Sequence, residues 1–184
     1  MRSKVLMVCL LAAACAASIV RGEWREHGEA VPDTAWRKSS GAFGALLLLT
    51  DEPETYGEDW KQPSSLVRTS KIESLAEAKR GDTIVAVVLF RGCAPNTEGD
   101  CDAEVGYRIL KPDGGLYGGR EAAELWKRPA PEEGFLYRGA GRLGLRIEAE
   151  DPLGRYRLEA IVRDRVAKVT LRLTRTLDVK ESGT

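Results

Sequence analysis

The chain has 184 residues, with 28 basic and 28 acidic side chains, one histidine and a formal net charge of zero. Charges of both signs are interleaved along the chain, which excludes the basic field that holds a nucleic-acid backbone. The length suits a single domain that is large enough to bury a proper core.

The first residues predict a cleaved secretory signal over residues 1–22. A basic head is followed by the apolar run Val5–Ala14 and a small-residue exit, which are the parts of a signal peptide. The run is too short to span a bilayer, which needs roughly 20 apolar residues. Cleavage before Ala17 and cleavage before Glu23 both fit the spacing of small residues. We therefore expect an exported chain that is periplasmic or secreted.

Cys15 suggests an alternative in which the same segment is a lipoprotein signal. The run Ala12–Cys15 resembles a bacterial lipobox, in which the cysteine is lipidated and becomes the new N-terminus. It departs from that pattern at Ala12, where leucine is usual. Lipidation would tether the protein to a membrane face, and a lipid on Cys15 is the only membrane contact we expect.

The next segment divides into a polar leader at residues 23–41 and a folded domain at residues 42–184. The run Ala45–Thr50 has the length and flanking glycines of a first buried strand. A brief helical pattern follows at residues 72–79. Residues 82–90 are β-branched and apolar on both faces, and they predict a strand in the middle of a packed sheet.

Cys93 and Cys101 form a close pair in a turn-rich segment. In an exported protein this spacing predicts a disulfide, because the compartment is oxidising. A metal site is the competing interpretation, but it needs more soft ligands nearby, and the only histidine, His27, is far away in sequence.

The middle of the chain alternates strands and turns. Residues 104–109 alternate apolar and polar side chains, as a half-buried strand does. The Pro-Asp-Gly sequence within Lys111–Gly115 predicts a tight turn, with a short strand around Leu116 pairing back across it. Residues 121–127 have the composition of one helical turn.

The last third carries the clearest pattern. Apolar and polar residues alternate over residues 143–148, 156–163 and 169–179. This period of two predicts antiparallel strands with one face in water. In all, about seven strands separated by glycine or proline predict an all-β fold, a single antiparallel β-sandwich or barrel.

One run has a more specific likeness. Residues 151–160, Asp-Pro-Leu-Gly-Arg-Tyr-Arg-Leu-Glu-Ala, resemble the entry to a late strand in immunoglobulin-like and macroglobulin-like domains of bacterial envelope proteins. Gly154 permits the turn, and Tyr156 enters the core with its hydroxyl able to reach a nearby backbone group. The Pro-Asp-Gly turn followed by Tyr117 resembles hairpins of the same domains. The resemblance implies an immunoglobulin-like sandwich and very little about activity.

Catalytic and cofactor motifs are lacking, so we expect a protein that is not an enzyme and takes no cofactor. His27 lies in the polar leader without strand context, and no Gly-x-Ser-x-Gly sequence is present. One loop concentrates oxygen ligands that calcium could use. Its spacing does not match an EF-hand, and acidic turns also serve solubility, so a metal site is the less favoured reading. The candidates are Asn96, Glu98, Asp100 and Asp102.

Binding is the remaining class of function. Tyr56, Trp60, Tyr117 and Trp126 lie in or beside predicted loops, where aromatic residues form either a recognition surface or plugs at the edge of the core. We expect an exported, non-catalytic sandwich that binds another envelope protein or a toxin, as an accessory, adaptor or immunity-type protein. The alternative is a carrier or sensor of a small ligand such as a sugar, a lipid or calcium.

Overall fold

A computed structural model of the chain describes residues 24–26, 29–57, 60–63 and 74–181. The predicted signal peptide, with Cys15, and His27 lie outside the described residues and stay predictions. Within the described ranges, no helix is both long enough and apolar enough to cross a bilayer.

The described residues form twelve strands and one short 3-10 helix at Pro53–Tyr56. The strands are β1 (Trp24–Glu26), β2 (Glu29–Val31), β3 (Arg37–Ser40), β4 (Phe43–Thr50), β5 (Lys61–Pro63), β6 (Glu77–Lys79), β7 (Thr83–Arg91), β8 (Ala103–Leu110), β9 (Leu116–Trp126), β10 (Phe135–Arg146), β11 (Gly154–Asp164) and β12 (Val169–Lys180).

Ten of these strands make two sheets of five. The first sheet has the order β3-β4-β7-β10-β5, and the second has the order β6-β12-β11-β8-β9. Neighbouring strands are antiparallel except for β6 and β12, which are parallel. Strands β1 and β2 pair only with each other. The prediction of an all-β fold is therefore confirmed.

The two sheets share one hydrophobic core. Leu47 and Val88 from the first sheet pack in the same cluster as Val105, Leu158 and Leu173 from the second. Each of these side chains is almost completely buried. Burying one such side chain stabilises the folded state by roughly 1.5–3 kcal/mol. In the last third of the sequence, the alternating apolar residues therefore face this core, and the polar residues between them face away from it.

The first sheet is buried on its outer face as well. Strand β7 lies between β4 and β10, which confirms that residues 82–90 belong in the middle of a sheet. Its outward residues join a second cluster on that face, here called the second core. The buried members of the second core are Trp24, Leu46, Leu48, Tyr56, Val85, Val87, Leu89 and Leu136.

The outer face of the second sheet is polar instead. Arg155 Nε lies 2.9 Å from Asp178 Oδ1, and Arg163 Nη1 lies 3.1 Å from Glu104 Oε1. These pairs cross neighbouring strands, where opposite charges are mildly favourable. The charged residues that alternate with apolar ones in β11 and β12 therefore lie on this outer face.

The run around Tyr156 takes the conformation that its resemblance implied. Tyr156 is fully buried, and its hydroxyl donates a hydrogen bond to the Pro152 carbonyl at 2.9 Å. Gly154 has a φ of +120°, which is the left-handed region that favours glycine. The Pro-Asp-Gly turn is also formed, with Gly114 N donating to Lys111 O at 2.9 Å.

The leader differs from its prediction. The boundary drawn at residues 41 and 42 separates β3 from β4, but these two strands pair as a hairpin within the first sheet. Trp24 is buried in the second core, and Trp36 packs against it. The polar composition of this segment hides the apolar contacts that its two tryptophans make.

The strands also outnumber the seven that the sequence predicts. Strands β3, β5 and β6 have only three or four residues, too few to show a period of two. Residues 121–126 belong to β9, where a helical turn was expected over residues 121–127, and residues 77–79 of the helical pattern predicted at 72–79 form β6. Pairing with a neighbouring strand overrides local propensity in both places.

Tyr107 leads us to expect a loss of stability in alkali. Its ring is buried, its hydroxyl donates to Gly141 O at 3.0 Å, and burial raises the pKa of that hydroxyl well above its usual value near 10. Above pH 10 the unfolded chain loses the phenol proton while the folded chain keeps it. The free energy of unfolding should therefore fall, by at most about 1.4 kcal/mol per pH unit for this group.

Urea titrations between pH 9 and pH 11 measure this slope. Tyr107→Phe should give a shallower fall than the unchanged chain, because the variant has one phenol fewer to ionise. A residual slope is expected from Tyr56, Tyr117 and Tyr156, whose pKa values are also raised, chiefly by burial. Identical slopes for the two chains would contradict the assignment to Tyr107.

Candidate functional site

The second sheet ends at an open strand edge. Strand β9 is the last strand of that sheet and pairs only with β8. Along its other edge, the portion Leu116–Ala122 makes no backbone hydrogen bond to any strand in the described part of the chain. Free backbone donors and acceptors in a row are a template for pairing with another extended chain.

The far half of β9 is covered, which gives the open edge a defined length. Gly139 and Gly141 of β10 lie against Leu125 and Glu124, so close that a β-carbon at either glycine would overlap its neighbour or press on it. From Leu116 to Ala122 the described residues provide no such cover, and the strand is mostly exposed. The open portion is here called the β9 edge.

The side chains of the β9 edge leave its backbone accessible. Leu116 is 62% exposed, the largest exposure of any large apolar residue in the described ranges. A β-carbon on Gly118 would meet nothing within 4 Å, so space is open there. Tyr117 turns inward, with its hydroxyl 2.6 Å from Asp151 Oδ2 and its ring 5.7 Å from that of Tyr156.

The four aromatic residues predicted as a binding surface do not share one face. Tyr56 and Trp60 are together, with ring centroids 5.5 Å apart beside the second core. Tyr117 lies at the end of the second sheet. Trp126 is buried between Phe90 and the arginine at position 128, whose guanidinium lies 3.9 Å from its ring centroid. Only Tyr117 belongs to the β9 edge.

The disulfide predicted between Cys93 and Cys101 is confirmed. Both cysteines are buried, and the loop that they close is tied to the segment after β9. Cys101 N donates to Arg128 O at 3.0 Å, and Ala130 N donates to Gly99 O at 3.0 Å. The disulfide thus holds this end of the molecule together across two separate segments.

Removing the disulfide should lower the free energy of unfolding by about 2.6 kcal/mol, from the entropy of closing a nine-residue loop in the unfolded chain. The double variant Cys93→Ala, Cys101→Ala tests this in urea denaturation. Reduction of the unchanged chain is the matched control and should produce a similar loss. A double variant as stable as the oxidised chain would show that the crosslink contributes nothing.

In the acidic loop, two of the four candidate calcium ligands, Asn96 and Asp102, use their side chains for other contacts. Asn96 Oδ1 accepts hydrogen bonds from the backbone N–H groups of Glu98, at 2.8 Å, and Asp100, at 3.0 Å. Asp102 lies 3.5 Å from Arg165 and 3.7 Å from Lys127. Within the described ranges no three histidine, cysteine or acidic residues are grouped as metal ligands. This arrangement is that of a hydrogen-bonded turn with a charged flank.

A hollow lies where β4 ends. It has a volume of about 750 Å³ and is open on one side. Its walls come from the end of β4, the 3-10 helix and the segment leading into β6; they comprise Leu49, Thr50, Asp51, Glu52, Thr55, Tyr56, Ser74, Leu75, Ala76 and Glu77. In the described part of the chain, this concave surface is a second candidate binding site beside the β9 edge.

A ladder of arginines and tryptophans, which the sequence patterns did not reveal, joins the two sheets. Arg91 lies 4.9 Å from the ring centroid of Trp24, and Arg37 lies 5.7 Å from Trp24 and 5.2 Å from Trp36. Arg175 completes it, 4.1 Å from Trp36. In the sequence, the ladder is indicated only at Arg175, where the alternation of β12 predicts an apolar residue and an arginine is found instead.

Arg175 occupies a core-facing position between Leu173 and Leu177. Its Nε donates to the Leu47 carbonyl at 3.0 Å, which joins β12 to β4 of the other sheet. Burial lowers the pKa of its guanidinium to about 10. Stacked on Trp36 and hydrogen-bonded to the other sheet, Arg175 is a structural crosslink.

No model of a known protein family matches the chain, and no curated protein matches it. Several solved structures are similar to it at low sequence identity. A family 123 glycoside hydrolase from Clostridium perfringens is 8% identical over 75% of this chain, with a TM-score of 0.40. The chain spans 28% of that enzyme.

Two smaller proteins match over most of their own length. The CARDB domain of a Pyrococcus furiosus protein, solved with di-metal ions, is 10% identical over 82% of this chain and all of its own, with a TM-score of 0.38. An immunoglobulin-like protein from Pseudomonas aeruginosa is 17% identical over 61% of this chain and 86% of its own, with a TM-score of 0.29. The chain's own architecture, with two five-stranded sheets around one core and the buried Tyr156 at a strand entry, resembles an immunoglobulin-like β-sandwich.

Proposed function

We propose that this chain is an exported, non-catalytic β-sandwich that binds a partner protein at the β9 edge. The partner contributes an extended segment, which adds a strand beside Leu116–Ala122. The observation that carries the proposal is a seven-residue run, Leu116–Ala122, whose outer edge is unpaired within the described part of the chain. An accessory, adaptor or immunity-type role needs such a surface and no catalytic group.

Strand addition obtains its affinity from main-chain hydrogen bonds and its specificity from alternate side chains. Gly118 leaves room for the incoming backbone, and exposed Leu116 offers an apolar contact for one side chain of the partner. Arg120 and Glu121 are both exposed and carry opposite charges. We expect a partner segment that matches these positions with an apolar residue and with charges of the complementary sign.

Export is supported by the cysteines. A buried disulfide between Cys93 and Cys101 is typical of proteins in oxidising compartments, and it agrees with the signal predicted over residues 1–22. Whether Cys15 carries a lipid is a separate proposal. Membrane fractionation of a Cys15→Ser variant tests it, since unchanged fractionation means that no lipid anchor is formed at Cys15.

A non-catalytic role is supported by where the acidic side chains lie. Glu104 and Asp178 pair with arginines across the outer face of the second sheet. Asp102 likewise pairs with Arg165 beside the disulfide loop. Carboxylates that are engaged in this way keep a surface soluble and hold strands in register. The proposal needs no further chemistry from them.

Site-specific photo-crosslinking in the native host tests the β9 edge. A photoreactive residue at Ala122, which is exposed on this edge, should capture one protein reproducibly. The same residue at Thr176, exposed on the outer face of the second sheet, is the matched control and should not capture it. Adding Leu116→Lys to the Ala122 chain should abolish the capture, because lysine at a strand edge opposes pairing.

The proposal fails if Ala122 and Thr176 capture the same proteins, if neither captures any, or if Leu116→Lys changes nothing. A circular dichroism spectrum of the Leu116→Lys chain verifies that the fold is retained. This is expected because Leu116 is 62% exposed and packs on little else.

The hollow beside Tyr56 favours the second candidate function, that of a carrier for a small ligand.

A further inference from the structure

The first sheet also has an open strand edge. Strand β10 pairs with β7 along residues 142–146, but β5 covers its other side only at residues 135–137. Past that cover, the described part of the chain places no paired strand beside residues 142–146. This open portion of β10 is here called the β10 edge.

The register of β10 shows which backbone groups face this edge. Ile147 N donates to the residue before β7 at 3.0 Å, so the backbone groups of Ile147 point toward β7. Alternate residues of an antiparallel ladder point to the same side. Arg142, Gly144 and Arg146 therefore direct their N–H and C=O groups toward the open edge. The Arg146 carbonyl agrees with this direction, because it accepts from the Tyr117 hydroxyl at 3.0 Å.

The side chains of the β10 edge divide between a basic face and an apolar face. Arg142 and Arg146 are exposed on the face that points away from the second sheet. Leu143 and Leu145 pack on the opposite face, in the core between the sheets, and Leu143 is only partly buried. A β-carbon on Gly144 would meet nothing within 4 Å, so the space between the two arginines is open.

The charges decide which strand fits this edge. Arg142 is exposed and forms no ion pair with a described residue. Arg146 Nε lies 3.5 Å from Glu148 Oε1, and exposed pairs of this kind contribute little. In a second copy paired about Gly144, Arg142 would lie opposite Arg146, and like charges in that position oppose pairing. The same two arginines favour a strand that carries acidic side chains.

We infer that the β10 edge pairs with an extended acidic segment of a partner protein. Two acidic side chains, four residues and about 13 Å apart, lie opposite Arg142 and Arg146. Apolar residues between them cover Leu143, and the backbone of the segment exchanges hydrogen bonds with that of Gly144. The β10 edge belongs to the other sheet from the β9 edge and does not depend on the partner proposed there.

An NMR titration of the isotope-labelled chain with the peptide Ser-Glu-Val-Thr-Val-Glu-Ser tests the β10 edge. We expect saturable shifts that are centred on the amide of Gly144 and leave the amide of Gly118 unchanged. A peptide with lysine in place of both glutamates should bind at least tenfold more weakly. A peptide with proline in place of both valines should also bind at least tenfold more weakly, because it lacks two backbone donors.

Two variants separate backbone pairing from charge. Gly144→Pro removes an outward N–H and should weaken binding of the acidic peptide at least tenfold; proline is tolerated in a strand where its nitrogen faces solvent. Arg142→Gln with Arg146→Gln should weaken it at least threefold. The matched control, Arg157→Gln with Arg172→Gln, removes two exposed charges from the outer face of the second sheet and should leave binding unchanged.

Several results would overturn the proposal: no saturable shift, equal affinity for the acidic and the lysine peptides, or equal weakening in the two arginine double variants. Shifts centred on Gly118 would place the peptide at the β9 edge and would overturn it as well. The melting temperature verifies the fold of each variant. If Gly144→Pro lowers it, the arginine double variant and the proline peptide decide the outcome.

Discussion

Replacing Asp164 with alanine is expected to lower the free energy of unfolding by about 3–5 kcal/mol. This is the largest loss that we predict for a single polar side chain. Asp164 ends β11 and is 1% exposed. Its Oδ2 accepts from Ala94 N at 2.7 Å, and its Oδ1 accepts from Val166 N and Ala167 N, each at 3.0 Å. Alanine leaves three partly buried N–H groups without their acceptor and empties a buried site.

The measurement is urea denaturation of three chains. Asp113→Ala is the matched control, because Asp113 is exposed and accepts one backbone bond, from Gly115 N at 2.8 Å. It should cost less than about 1 kcal/mol. Asp164→Asn should fall between the two, since its single carbonyl oxygen cannot replace both carboxylate oxygens. A loss for Asp164→Ala no greater than that for Asp113→Ala would refute the assignment.

The second large effect is expected at Gly106. This residue lies within β8 where its pairing with β9 shifts register. A β-carbon there would overlap the carbonyl oxygen of Glu121, which is backbone and cannot move aside as a side chain does. Gly106→Ala should therefore cost at least about 2 kcal/mol, through strain or local separation of the two strands.

Gly118 provides the comparison, because it sits in the partner strand and an added β-carbon meets nothing within 4 Å. Gly118→Ala should be neutral or stabilise the fold by a few tenths of a kcal/mol, since alanine loses less backbone entropy on folding. Thermal melts of both variants suffice. Two similar melting temperatures would mean that the close approach at Gly106 is absent in solution.

Local pattern was sufficient to predict the long strands. Residues 82–90 are apolar on both faces because β7 has a core on each side, and that double burial is visible in the composition itself. The turn at Gly154 and the buried Tyr156 were likewise predictable, because both depend on residues within one short run. The disulfide followed from spacing and compartment.

The short strands, the open edge and the positions of the aromatic residues depend on the order of the strands in the sheets. A local sequence pattern does not determine that order. Strand β9 carries two glycines and the run Ala122–Trp126, so its local propensity is poor, and only its pairing with β8 makes it a strand. The open edge exists because β9 comes last in the sheet. The four aromatic side chains were predicted as a group, but Tyr56 and Trp60 pack beside the second core, whereas Tyr117 and Trp126 pack in the core between the sheets.

The ladder of Arg91, Trp24, Arg37, Trp36 and Arg175 has a kinetic consequence. It joins residues near the start, middle and end of the described chain, and Thr174 N donates to Ala35 O at 2.7 Å beside it. Contacts between such distant residues raise the contact order and slow folding. During synthesis the ladder stays incomplete until β12 has been made. We therefore expect the fold to close slowly once β12 is available, which suits the proposal that the chain is exported before it folds.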